Sequence, residues 1–123
     1  DRGIDGHSLG GLFATYSLLA SPDLFQRYGI NSPSLWWNNK EMFKLEKSVS
    51  EKNNSLHAKI FMSVGGNEGK MMNGAMTSFA DSLRSDFKNL KITTHIFEDE
   101  NHMSVMPANI SRTLKVLYGK KEN

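Results

Sequence analysis

The sequence predicts an α/β domain in which a mostly parallel sheet is flanked by helices. Three observations carry this. Apolar residues switch repeatedly between short runs and helical spacing, so that strands and helices alternate along the 123 residues, and such alternation implies parallel strands joined by right-handed crossovers. Gly6-His7-Ser8-Leu9-Gly10 has the form G-x-S-x-G, a sharp strand-to-helix turn that leaves a serine exposed at its crest. Finally, the other residues suited to chemistry fall directly after strands, where open α/β sheets hold their ligands.

Taken in order, Arg2-Gly3-Ile4-Asp5 reads as the end of a central strand before the turn. Gly6 and Gly10 are expected to lie where a Cβ would collide with the adjoining strand or helix. From Leu9 to Ala20 the residues Leu12, Phe13, Tyr16, Leu19 and Ala20 recur at helical spacing, and Ser21-Pro22 closes the segment because the residue before proline is pushed out of the helical region. Pro22–Phe25 gives a further turn. Arg27–Asn31 is a short buried strand with Ser32-Pro33-Ser34 as loop chemistry at its carboxyl end. Lys40 to about Asn53 is a charged amphipathic helix, with Met42, Phe43, Leu45 and Val49 inward and its charges on a solvated face.

Lys59–Val64 is the clearest strand and should be central and parallel. Met71 to about Phe87 is a helix with Met72, Ala75, Met76, Phe79 and Leu83 along one side, and Leu90–Phe97 alternates like a strand near an edge. Val105–Tyr118 forms the last helix, with Pro107 in its first turn and Ile110, Leu114 and Leu117 expected in the core. Residues 1–119 make one domain and 120–123 a polar tail. Because the serine turn stands at the very start, whereas a sheet needs several strands before it, the chain is expected to be the C-terminal part of a larger domain. Edges exposed by the missing strands predict weak stability or a homo-oligomer.

Composition removes several function classes. Hydrophobic residues make up 38% of the chain, which suits a globular domain. A formal charge of +2 with scattered lysines offers no nucleic-acid footprint. No apolar run approaches the roughly 18 residues of a membrane span. The chain has no cysteine, which excludes disulfides, thiolate catalysis and cysteine-ligated metals but leaves the compartment open between bacterial cytoplasm and periplasm.

The chemistry follows from Ser8. A serine hydroxyl is a poor nucleophile at neutral pH unless a base takes its proton, and imidazole suits that role. His102 ends a strand and precedes a helix, whereas His95 lies within a strand and His57 precedes one at the opposite edge of the sheet. His7 adjoins the nucleophile and is expected to point into the sheet or toward a pocket wall. The base needs an acid to hold its tautomer. Glu68, four residues after Val64, would complete the order Ser, acid, His found in α/β hydrolases, with Glu98, Asp99 and Glu100 in the histidine loop as its rivals. The Leu9 N–H, next after the nucleophile, should donate to the transition-state oxyanion. A second donor normally comes from an earlier loop, so the chain alone is expected to be nearly inactive. Trp36 and Trp37, just beyond a strand, are candidates to face substrate, or else to roof the core. Met71, Met72, Met76, Met103 and Met106 either fill the core or line an apolar mouth. No metal and no organic cofactor are implied.

Gly6-His7-Ser8-Leu9-Gly10-Gly11-Leu12, Ser32-Pro33-Ser34-Leu35-Trp36-Trp37, Val64-Gly65-Gly66-Asn67-Glu68 and Asn101-His102-Met103-Ser104-Val105 together resemble the Putative esterase family of α/β hydrolases, in its esterase D-like and siderophore esterase branch. The resemblance runs through nearly the whole chain in order. It implies Ser8 as nucleophile, His102 as base and Glu68 as acid, or a Ser–His dyad as in some siderophore esterases. It also implies a small-molecule ester as substrate, a siderophore ester among the candidates. A thioesterase or peptidase of the same fold and a non-catalytic binding domain are the other readings.

Overall fold

The computed structural model describes residues 1–53 and 55–120. Four strands, β1 (Gly3–His7), β2 (Arg27–Asn31), β3 (Ala58–Gly65) and β4 (Leu90–Phe97), alternate with four helices, α1 (Leu9–Ala20), α2 (Trp37–Lys52), α3 (Lys70–Asp86) and α4 (Met106–Tyr118). The strands pair in the order β1-β2-β3-β4, all parallel, with His7 beside Asn31, Asn31 beside Ser63, and Ser63 beside His95. The carboxyl ends of the strands therefore lie along one rim. The serine turn, Ser32–Ser34, the Gly66–Glu68 turn and the 98–102 loop all leave from it.

Side-chain alternation on the strands divides the core in two. Tyr28 and Ile30 of β2 and Ile60, Met62 and Val64 of β3 point to one face, where Leu18 of α1, Met42 of α2 and Phe79 and Leu83 of α3 cover them. Phe61 points to the other face and packs with Phe97, Val105 and Leu117. Three helices thus share one side of the sheet, and α4 lies on the other.

Several expectations change in three dimensions. The first strand runs two residues further than Arg2–Asp5, to His7, and among the described residues it pairs with β2. The second helix begins at Trp37, but Asn38, Asn39 and Lys40 all adopt left-handed backbone (φ 51, 57 and 61°), so the regular helix starts after them. Its charges do not all face solvent: Glu46 is 1% exposed. In α4, Leu117 is buried as expected, but Ile110 and Leu114 are 47% and 57% exposed, and the buried positions are Asn109 and Thr113.

That inversion of α4 has a polar cause. Asn31 on β2 donates to Asp5 Oδ1 (2.7 Å) and to Thr113 Oγ1 (3.0 Å), while Ser63 Oγ donates to Asn31 Oδ1 (2.5 Å) and Thr113 Oγ1 to the Asn109 carbonyl (2.6 Å). Asn31 and Ser63 on the sheet face beneath α4 are buried, and a helix rotated to bury Ile110 would take the Thr113 partner away from Asn31, where an unpaired buried polar group costs about 1–3 kcal/mol. The polar tail lies outside the described residues beyond residue 120.

Candidate active site

The nucleophile candidate is held by backbone geometry. Ser8 sits between β1 and α1 with φ 64° and ψ −117°, a region costly for any residue with a side chain and one that persists only where its surroundings enforce it. They do: the Ser8 N–H donates to the Asn31 carbonyl at the end of β2 (3.0 Å), and the Ser8 carbonyl accepts from Leu12 N–H (3.0 Å) and Ser34 N–H (3.2 Å). A Cβ on Gly6 would overlap the Gly10 carbonyl, and one on Gly11 would come within 2.9 Å of the Asn31 carbonyl oxygen and 3.1 Å of the Pro33 Cα. Nothing lies within 4 Å of a Cβ on Gly10. The second obligatory glycine of the turn is therefore Gly11, which corrects the expectation for Gly10.

Ser8 Oγ lies 3.0 Å from Nε2 of His102, and Nδ1 of the same ring lies 2.5 Å from Glu68 Oε1. Ser8, His102 and Glu68 are brought into one line of hydrogen bonds, each delivered by the loop after a different strand, whereas no side chain of Glu98, Asp99 or Glu100 bonds to His102 among the described residues. Glu68 is fixed at its other oxygen, where Oε2 accepts from Ser32 Oγ (2.6 Å) and from the Gly65 N–H (2.5 Å), and its side chain is 1% exposed. Such a carboxylate has its lone pairs occupied before it meets the imidazole, so it can point in only one direction.

The histidine loop is shaped locally. Asn101 Oδ1 accepts from Met103 N–H and Ser104 N–H (both 2.9 Å), and the Asn101 N–H donates to Ser104 Oγ (2.9 Å). This turn holds His102 between two anchored residues. The Asn67 N–H donates to the Glu100 carbonyl (2.9 Å), which ties the acid's turn to the base's loop. Ser32, Asn101 and Ser34, whose Oγ is 3.4 Å from Ser8 Oγ, were not singled out from the sequence. Ser-Pro-Ser and an Asn before the histidine are visible there as turn formers, but their partners are 26 or more residues away or depend on the loop's closure.

The remaining candidates are distributed around this line. Leu9 is the first residue of α1, so its N–H is one of the helix's free initial donors and sits beside the nucleophile. A cleft of about 520 Å³ opens over Ser8, His102 and Ser34 and is walled by Trp36, Met71 and Met72. Trp37 is not part of that wall. It lines a neighbouring apolar groove of about 430 Å³ with Leu9, Phe13 and Tyr16. Both tryptophans are half exposed and do not roof the core. Of the methionines, Met76 is buried in the core, while Met71 and Met103 are 63% and 70% exposed. His7, expected to point into the sheet or toward a pocket wall, does not line the cleft and packs against His102, with ring centroids 4.7 Å apart. Its pKa is lowered by burial first and then by the positive charge His102 can carry. No group of three or more His, Asp or Glu side chains is placed to hold a metal ion among the described residues, and no helix there is long and apolar enough to cross a membrane.

What this arrangement can do is acyl transfer: an exposed hydroxyl, a base in contact with it, an acid that orients the base, and a backbone donor alongside. Several known proteins are similar to the chain. The ferri-bacillibactin esterase BesA of Bacillus subtilis is 34% identical over 123 aligned residues, 91% of this chain and 41% of that protein. The siderophore enterobactin esterase of Emericella nidulans is 51% identical over 37 residues, 30% of this chain and 12% of that protein. Among solved structures, the BES protein from Bacillus cereus superposes with a TM-score of 0.81 at 33% identity, over 94% of this chain and 44% of that one. An IroE-like serine hydrolase from Shewanella oneidensis shares the fold at a TM-score of 0.80 and 24% identity, over 92% and 38%. The chain thus spans about two fifths of the length of BesA and of these two solved structures. The parallel sheet with its flanking helices is that of α/β-hydrolase-fold esterases. With the model of the family described as Putative esterase matching residues 1–105, the chain belongs to that family.

Proposed function

We propose that the protein carrying this chain is a serine carboxylic-ester hydrolase that works through an acyl-enzyme, with Ser8, His102 and Glu68 as its catalytic residues. The observation that carries the reading is the hydrogen-bonded line from Ser8 Oγ through both nitrogens of His102 to a buried, fully engaged Glu68. Ser8 Oγ attacks the ester carbonyl as its proton passes to His102 Nε2. Glu68 keeps the other ring proton on Nδ1 and stabilises the imidazolium that forms. The Leu9 N–H donates to the oxyanion. His102 then gives its proton to the leaving alkoxide, the acyl-enzyme remains on Ser8, and water deprotonated by His102 releases the acid.

A siderophore ester is the substrate class favoured by the relatives, several of which are named as siderophore esterases. Trp36, Met71 and Met72 would form the apolar wall against which it lies.

The test is Ser8→Ala in the intact protein, assayed with a fluorophosphonate probe and with a panel of a siderophore lactone, a simple aryl ester, a thioester and a peptide. Labelling and ester hydrolysis are expected to vanish together in the variant. Labelling that survives Ser8→Ala would overturn the assignment of the nucleophile. Thioester or peptide turnover well above ester turnover in the wild type would move the reaction to another acyl-transfer class, and no labelling of the wild type would leave a binding domain.

A further inference from the structure

His7 stands immediately before the nucleophile, yet its side chain does not enter the cleft. Its ring lies under that of His102, with centroids 4.7 Å apart and planes inclined by 35°. Nδ1 of His7 is 3.3 Å from Nδ2 of Asn109. An amide NH₂ only donates, so this nitrogen is the acceptor and the ring is the neutral tautomer with its proton on Nε2. Nε2 itself is buried with no partner within hydrogen-bond geometry among the described residues, although the His102 backbone lies close enough to the ring to favour its protonation. Asn109 is 1% exposed and belongs to the polar face of α4, which is keyed to the sheet through Thr113 and Asn31. The titratable groups around the His7 ring are His102 in front, Glu68 beyond it, and Asp5 on its own strand.

The catalytic imidazole needs such a neighbour. Its two hydrogen bonds, to Glu68 and to Ser8, act at the two nitrogens on its edge. They fix the ring's direction but do little to oppose rocking about the line that joins them. His102 also lines the cleft, and its side chain is 40% exposed. Only a contact on the inner face can stop the ring from tilting Nε2 away from Ser8 Oγ, and a misplacement of about 1 Å at such a group can cost about 10²-fold in rate. An uncharged ring does this without repelling the imidazolium that forms during turnover.

We infer that His7 is a positioning residue: pinned by Asn109, its ring is the wall that holds the His102 imidazole in line between Glu68 and Ser8. This rests on the proposed Ser8–His102–Glu68 line, and it goes beyond that line by giving the residue before the nucleophile and a buried asparagine on α4 a part in catalysis.

The experiment combines kinetics with proton NMR of the His102 Nδ1–H, which the short contact to Glu68 should place at very low field. In the intact protein, His7→Ala is expected to lower kcat by about 10- to 100-fold with KM unchanged, and to broaden or abolish the low-field resonance while the melting temperature stays near that of the wild type. Asn109→Ala, which leaves the ring in place but unpinned, should lower kcat by a smaller factor, about 3- to 10-fold. The double variant His7→Phe/Asn109→Leu restores a flat ring and replaces the polar pair by apolar groups of similar shape, which can be nearly neutral for stability. It should recover kcat and the resonance. The inference is overturned if His7→Ala leaves kcat and the resonance as they were, if it raises KM alone, or if the folded double variant is as slow as His7→Ala. Failure of Ser8 labelling in the wild type is a separate result, and it strikes the proposed reaction instead of the packing of His102.

Discussion

Replacing Glu68 by Gln tests the site most sharply, because the change keeps the shape of the side chain and alters only its charge and hydrogen-bonding sense. In the native protein Glu68 accepts three hydrogen bonds, from Ser32 Oγ at 2.6 Å, Gly65 N–H at 2.5 Å and His102 Nδ1 at 2.5 Å. A glutamine has one acceptor oxygen for these three donors. If that oxygen stays with Ser32 and Gly65, the NH₂ faces His102 and donates to Nδ1. The ring then carries its proton on Nε2 and cannot take the one on Ser8. This wrong-tautomer effect has cost about 10⁴-fold in kcat where an acid of this kind was changed to its amide in a serine protease. We expect a loss of about 10³- to 10⁴-fold, equivalent to about 4–5.5 kcal/mol of transition-state stabilisation at 1.36 kcal/mol per decade. KM and the fold should be little changed, since the substituted group does not reach the exposed surface of the cleft. Steady-state ester hydrolysis and the second-order rate of fluorophosphonate labelling measure this, with Asp99→Ala and Glu98→Ala as companions. Activity within tenfold of wild type for Glu68→Gln would show a Ser–His dyad, and a comparable loss with Asp99→Ala would place the acid in the histidine loop; either result refutes the reasoning.

Two further predictions concern the scaffold. Gly6→Ala should cost at least about 3 kcal/mol in urea unfolding or prevent folding, because its Cβ would strike the backbone of Gly10 and not a side chain that could move, whereas Gly10→Ala should be neutral or gain up to about 1 kcal/mol, having open space and a helical position. Equal damage from both would contradict the geometry of the turn. Glu46, pushed up to about 7 by its burial first and then by the Asp86 carboxylate beside it, is protonated in the fold while it ionises near 4.5 in the unfolded chain. Its contribution is complete below pH 4.5 and lost as pH rises to 7, so stability should fall across that window by on the order of 2–3 kcal/mol. Asp86, held below the usual carboxylate range chiefly by its hydrogen bond from Lys47, acts in the opposite direction at lower pH. Across pH 4.5 to 8 urea midpoints of the wild type should therefore fall relative to those of Glu46→Gln, whose own curve follows the remaining groups, among them His7 and His95, both lowered in the fold; parallel curves would remove Glu46 as the source.

The sequence by itself determined the order of elements, because each rests on patterns that repeat within a dozen residues: the apolar run of β3, the helical spacing of α1 and α3, the proline stops, and the glycines of the serine turn. It also pointed to Ser8, Glu68 and His102, since each follows a strand and a parallel sheet brings all such positions to one rim. It favoured Glu68 over Glu98, Asp99 and Glu100, because Glu68 alone follows a different strand, but kept those three as rivals, and only the packing of the Gly66–Glu68 turn against the 98–102 loop brings Glu68 to the ring. Tertiary structure alone decided three further matters. Gly11 and not Gly10 must be small, because the backbone approaching it belongs to Asn31 and Pro33. The buried face of α4 is Asn109 and Thr113 and not Ile110 and Leu114, because the sheet beneath presents Asn31 and Asp5. His7 lies against the His102 imidazole and does not line the cleft, because Asn109 on that same polar face of α4 contacts it. In each case the deciding atom belongs to a residue at least 20 positions away, where periodicity carries no information and only the closed fold supplies the neighbour.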